Sequence, residues 1–178
     1  MCNPVFLTMN RYVFDLDNTL VHTNLLNNNS YNYALNQLDL EPIYNCRRIT
    51  RDVVFMKYPQ LNDNQKKKIV EIKQEFFITN IKDTKPNKPL LKILKSQNVD
   101  HCLLWTSADK TRVNALLEYY KLFDAFKKIL FSSKINVLQD IEKICRLFGC
   151  GPRQLVFYED NLRTIEDINE LNLNVITI

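Results

Sequence analysis

The sequence predicts an α/β protein: a parallel sheet flanked by helices, with a small helical cap inserted after the first strand. Four short apolar runs, at 11–14, 101–105, 128–131 and 154–158, have the length and continuous hydrophobicity of strands buried on both faces. Helical patterns at 88–96, 111–121, 137–148 and 164–171 alternate with them, and a last short apolar run at 174–178 closes the chain. Such alternation predicts right-handed crossovers and a doubly wound sheet.

Between about 24 and 83 the rhythm breaks. Three stretches of helical character, around 30–40, 47–57 and 64–80, contain no convincing strand. Pro42 and Pro59 separate them, and Pro86 and Pro89 mark the return to the sheet. The expected division is therefore a core of 1–23 and 84–178 with a cap of 24–83. Open parallel sheets bind ligands beyond the carboxyl ends of their strands, so an insertion there is placed to act as a lid.

A chain of 178 residues, 46% of them apolar, is long enough to bury a core. The apolar N-terminal run, 4–9, is too short for a membrane span and lacks a basic leader, so an untargeted soluble protein, cytoplasmic or nuclear, is expected. Five cysteines, with no C-x-x-C pair, suit reduced thiols better than a zinc site or a disulfide frame. A net charge of +4 suits an anionic substrate, while the lack of a dense basic stripe with interleaved aromatics weighs against nucleic acid. Lys66, Lys67 and Lys68 read as the solvated face of a helix. Only two glycines, Gly149 and Gly151, occur, which excludes a glycine-rich phosphate loop.

The chemistry lies at the strand ends. Asp15, Asp17 and Thr19 follow the first strand, Thr106 and Ser107 the second, Lys134 the third, and Glu159 and Asp160 the fourth. Each type has a task if the substrate is a phosphate ester. A carboxylate at Asp15 can attack phosphorus and split one hard displacement into two easier ones. Asp17 lies two residues on, on the same side of an extended chain, where it can protonate the leaving oxygen and later take a proton from water. Clustered acids repel one another and a dianionic substrate, so a hard cation is needed, and Mg²⁺ matches the oxygen donors. Asp15 and Asp160 would bind it by side chain and Asp17 by its carbonyl, with Glu159 bound directly or through water. Thr106 can hydrogen-bond a phosphoryl oxygen beside helix N–H groups, with Ser107 adjacent, and Lys134 supplies positive charge. Lys127 and Lys128 are the competing choices for that lysine. His22 and Trp105 read as structural, Asp167 as exposed on its helix, and Cys145 and Cys150 as ordinary thiols.

The order YVFDLDNTLV, LLWTSAD, SSK and LVFYEDN resembles the four motifs of the haloacid dehalogenase superfamily across the chain apart from the helical insertion. The ending LVFYEDNLRTIEDINELNLNVITI resembles that of its magnesium-dependent phosphatase group. DLDNTLVH is similar to the opening motif of the phosphatases that act on the RNA polymerase C-terminal tail. The resemblance implies a Rossmann-like fold with a short helical element and hairpin after the first strand, a Mg²⁺ requirement and an aspartyl-phosphate mechanism. Two departures stand out: Glu159–Asp160 replaces a pair of aspartates, and Asn18 stands where many members carry glycine. The expected function is phosphomonoester hydrolysis on a small molecule or a phosphoprotein, with oligomeric state open. The alternatives are a protein phosphatase of the polymerase-tail type and a non-catalytic binding protein of the same fold.

Overall fold

The computed structural model describes residues 9–44 and 46–178; the expectations for Cys2 and for residues 4–8 of the apolar run fall outside them. The chain separates into two compact units. The first holds the described residues up to Leu20, with Asn87–Ala108 and Lys121–Ile178. The second holds Val21–Pro86 and Asp109–Tyr120.

The first unit is built on a five-stranded parallel sheet. Its strands are β1 (Arg11–Phe14), β4 (Cys102–Thr106), β5 (Lys128–Phe131), β6 (Leu155–Glu159) and β7 (Asn174–Thr177), in the spatial order β5-β4-β1-β6-β7. The two remaining strands, β2 (Val21–His22) and β3 (Lys85–Pro86), form a short antiparallel pair in the second unit. β1 is central, with Val13 opposite Leu103 on one side and Phe157 on the other. Successive strand residues point to opposite faces. Val13 joins a core with Trp105, Phe157, Ile141 and Ile144, while the Phe14 ring stacks on Tyr158 at 4.7 Å and meets Phe126 edge-on.

The helices of this unit are α4 (Lys88–Ser96), α6 (Val137–Phe148) and α7 (Leu162–Glu170). Their starts are set by side chains that satisfy orphan N–H groups. Asn87 accepts from the Leu90 N–H and donates its amide to the Thr19 carbonyl at 2.9 Å, tying α4 to the segment after β1. Asn136 caps α6 and Asn161 caps α7. That last cap explains why α7 begins at Leu162 rather than at 164 as its apolar spacing suggests. α6 ends at Gly149, whose φ of 65° is the left-handed turn glycine makes cheaply.

The second unit contains α1 (Asn24–Asn36), α2 (Arg51–Lys57), α3 (Asp63–Thr79) and α5 (Lys110–Tyr119), so the helix between β4 and β5 groups with Val21–Pro86. α1 starts six residues before the expected stretch of 30–40, because its asparagines are structural. Asn28 accepts from the Ile49 N–H at 2.8 Å, Asn32 accepts from the Ile43 N–H at 2.9 Å, and Asn27 donates to the Ile49 carbonyl. α2 starts at Arg51, not 47, where the Thr50 hydroxyl takes the Val53 N–H. α3 carries a reciprocal capping box between Asn62 and Gln65. Leu35, Ile49, Val54 and Ile69 are buried at its core. Among the described residues no helix is long and apolar enough to cross a membrane.

Candidate active site

In the sheet order, β4 and β5 lie on one side of β1 and β6 and β7 on the other. The chain thus reverses its direction of growth between β1 and β6, and the carboxyl ends flanking such a reversal diverge to leave a crevice. Asp15 leaves β1 here and Glu159 ends β6. The Asp15 N–H still donates to the Tyr158 carbonyl at 3.0 Å, so both acids are held by the last rung of the ladder.

Lys134 lies between them. Its ammonium is 2.7 Å from Asp15 Oδ1 and 2.6 Å from Glu159 Oε2, with all three side chains buried. Lys127 and Lys128, by contrast, are exposed. Burial alone would lower the Lys134 pKa, but the charges of Asp15 and Glu159 and the hydrogen bonds to them outweigh it and leave it above an ordinary lysine. Burial, and then the Asp15 charge, push the Glu159 carboxyl up to about 7, against the pull of Lys134. The second Glu159 oxygen accepts the N–H groups of Asp160 and Asn161, at 3.2 and 3.0 Å, which fixes its rotamer.

Asp15, Glu159 and Asp160 each offer an oxygen within 4.8 Å of the others'. Three carboxylates so close, with one ammonium between two of them, leave negative charge that a hard divalent cation would neutralise. The donor set therefore fits Mg²⁺: all oxygen, mostly buried, convergent.

The other candidates stand at the same edge. Asp17 is buried two residues beyond Asp15, in a turn that passes through Asn18 at φ 61°. Asparagine tolerates that left-handed conformation better than most residues, which is what the departure from glycine requires. Thr106 ends β4 and is buried, and its hydroxyl accepts the Ala108 N–H at 3.1 Å. Ser107 is exposed.

Two further residues enter here: Ser132, inside SSK but given no role there, and Asp140, outside every motif. Ser132 accepts the Lys134 N–H at 3.1 Å, and buried Asp140 accepts from both the Ser132 hydroxyl and the Trp105 indole. The sequence signal was an acid inside the apolar stripe Val137, Ile141, Ile144 and Phe148 of α6.

The geometry defines a class: a Rossmann-like α/β fold with an acid and lysine cluster at the switch point of its parallel sheet. The family profile described as haloacid dehalogenase-like hydrolase matches residues 12–178. The chain belongs to that family. No curated protein sequence matches it. Among solved structures, a protein from Haemophilus somnus 129pt described as a predicted phosphoglycolate phosphatase superposes with TM-score 0.80 at 17% identity, covering 97% of this chain and 86% of its own. CbbY from Rhodobacter sphaeroides, in complex with phosphate, gives 0.77 at 16% identity, covering 95% and 85%. A family IA, variant 3 hydrolase from Entamoeba histolytica gives 0.75 at 19%, covering 96% and 84%. At these identities the likeness is one of fold.

Proposed function

We propose that the protein is a Mg²⁺-dependent phosphatase that hydrolyses phosphate monoesters through an aspartyl phosphate on Asp15. The observation that carries this reading is the Asp15–Lys134–Glu159 arrangement, with Asp160 beside it, at the ends of β1 and β6. Membership of a hydrolase family supports it, as do fold relatives described as phosphatases or as bound to phosphate.

Asp15 and Asp160 would hold Mg²⁺ by their side chains and Asp17 by its carbonyl, with Glu159 direct or through water, and the ion would supply charge neutralisation for the phosphoryl group. Lys134 orients the Asp15 carboxylate through Oδ1 and adds positive charge where the transferring group arrives. The Thr106 hydroxyl, with Ser107 beside it, receives a phosphoryl oxygen. In the first displacement an Asp15 oxygen bonds to phosphorus as the ester P–O bond breaks, and Asp17 gives its proton to the departing alkoxide. In the second, Asp17 takes a proton from water as the water oxygen bonds to phosphorus. The acyl phosphate P–O bond then breaks, which restores the Asp15 carboxylate and frees inorganic phosphate.

The substrate is a phosphorylated small molecule or a phosphoprotein. The test is hydrolysis of a generic aryl phosphate with and without Mg²⁺: Asp15→Asn and Asp17→Asn should each abolish the Mg²⁺-dependent rate. Full activity in either variant removes the mechanism. A crystal soaked with beryllium fluoride should carry density on Asp15, and density on another residue refutes the nucleophile.

A further inference from the structure

Asp15 and Glu159 hold the Lys134 ammonium, and a second set of contacts holds its backbone and the ring beneath it. Its backbone is at φ 57°, a left-handed conformation that costs a lysine about 1 kcal/mol and persists only when the surroundings enforce it. One contact bears on that backbone and another on the side chain, and both lead to one residue. The Lys134 N–H donates to the Ser132 hydroxyl oxygen at 3.1 Å, and that hydroxyl donates its own proton to Asp140 Oδ2. The Lys134 ammonium lies over the Trp105 ring, 4.6 Å from its centroid, and the Trp105 indole N–H donates to the same Asp140 oxygen at 3.2 Å. Asp140 is 2% exposed, on α6, and its other oxygen takes Lys143 at 3.2 Å.

We infer that Asp140 is a positioning residue for Lys134: one buried carboxylate fixes both the hydroxyl under the lysine's backbone and the ring under its ammonium. A buried acid in an apolar helix stripe is costly unless fully bonded, and here Lys143 satisfies one oxygen while the other serves the two groups that touch Lys134. Asp140 touches neither Asp15 nor Glu159 in this network, so it acts on the site through Lys134. Its effect on turnover rests on the phosphatase reading; its anchoring of Lys134 does not.

The experiment compares Asp140→Leu, which keeps the shape and loses the acceptors, with Asp140→Asn, which keeps an oxygen for Ser132 and Trp105. In folded Asp140→Leu, kcat on an aryl phosphate should fall about 10- to 100-fold with KM little changed, and Asp140→Asn should restore most of it. Trp105 is the chain's one tryptophan, so its emission spectrum reports the indole contact directly. The Lys134 amide resonance reports the other arm. Both should shift in Asp140→Leu and stay near wild type in Asp140→Asn. Unchanged kcat in a folded Asp140→Leu overturns the proposal, as does an equal loss in both variants. If Asp140→Leu does not fold, Ser132→Ala tests one arm alone: a shifted Lys134 amide supports the proposal and an unmoved one overturns it. If the wild type turns over no phosphate ester, the phosphatase reading fails, and the Trp105 and Lys134 signals still decide the anchoring.

Discussion

The Lys134 ammonium lies 2.6 Å from the Glu159 carboxylate, and both are buried at the mouth of the sheet. The same ammonium holds Asp15, so two acids from different strands depend on one cation. Replacing it leaves two buried charges facing each other. Lys134→Met should lower kcat on an aryl phosphate about 100-fold or more through lost electrostatic stabilisation. It should also reduce stability at pH 7 by about 3 kcal/mol, because breaking a buried pair strands its partners. Steady-state kinetics and urea unfolding check the two effects separately, and a variant as stable as wild type would show that the contacts are not buried ion pairs.

On the proposed reading, the raised Glu159 pKa would give Mg²⁺ binding a pH signature. An acid with its folded value raised from 4.5 to about 7 holds its proton in the native state over a range where the unfolded chain has released it. Its contribution to metal-free stability is therefore undiminished below pH 4.5, declines as pH rises, and is fully lost above about 7. Metal binding needs the ionised form. The rise in Tm produced by Mg²⁺ should thus grow across this window and level off above about 7. Thermal melts with and without Mg²⁺ at several pH values measure it; a shift that is flat across the window would mean that Glu159 does not face the metal.

Strands were the most legible elements because apolar continuity marks them without help from partners. β1 and β5 have the bounds expected for them, and β4 and β6 are displaced by one residue, His101 belonging instead to a short 3-10 turn capped by Asn98. The acids at 15, 159 and 160 were placed for a related reason, since strand ends deliver them to one edge, whereas Lys134, three residues past β5, was separated from Lys127 and Lys128 only by its burial. α1 was read six residues late because periodicity ignores asparagine, yet Asn27, Asn28 and Asn32 carry the contacts that hold it. Asp140 was invisible in role, since a single acid on a helix acquires meaning only when Ser132 and Trp105 are brought to it from elsewhere in the chain.

Those asparagines make a local prediction. Asn28 both accepts the Ile49 N–H and donates to the Cys46 carbonyl, and Ile49 is buried. Asn28 also donates to the Arg47 carbonyl at 3.3 Å, so Asn28→Ala leaves three backbone groups to find new partners and should cost about 1–3 kcal/mol. Hydrogen exchange of the Ile49 amide should accelerate in the variant, while amides of β1 and β6 keep their relative protection. An unaltered Ile49 exchange rate would mean that water replaces the side chain at no cost.

Lys73 provides the opposite case, a buried group whose removal should stabilise. It is 7% exposed, on α3, with its ammonium over the rings of Tyr31 at 5.1 Å and Phe77 at 5.4 Å. Among the described residues it makes no ion pair. Burial, followed by the charges of Arg48 and Arg51, lowers its pKa to about 8, with Asp109 opposing. Below about 8 both the folded and unfolded chains carry the proton and the cost of burying the charge is complete. Between there and lysine's usual 10.5 the folded chain releases the proton first, and stability recovers as pH rises. Lys73→Met fills the same space without the charge, so it should be more stable than wild type by on the order of 2 kcal/mol at pH 7. That advantage should shrink steadily as pH is raised through this interval. Urea titrations of both proteins from neutral to alkaline pH measure the difference with every other titrating group cancelled. A less stable Lys73→Met at neutral pH would mean that the two rings compensate the ammonium for the water it gave up.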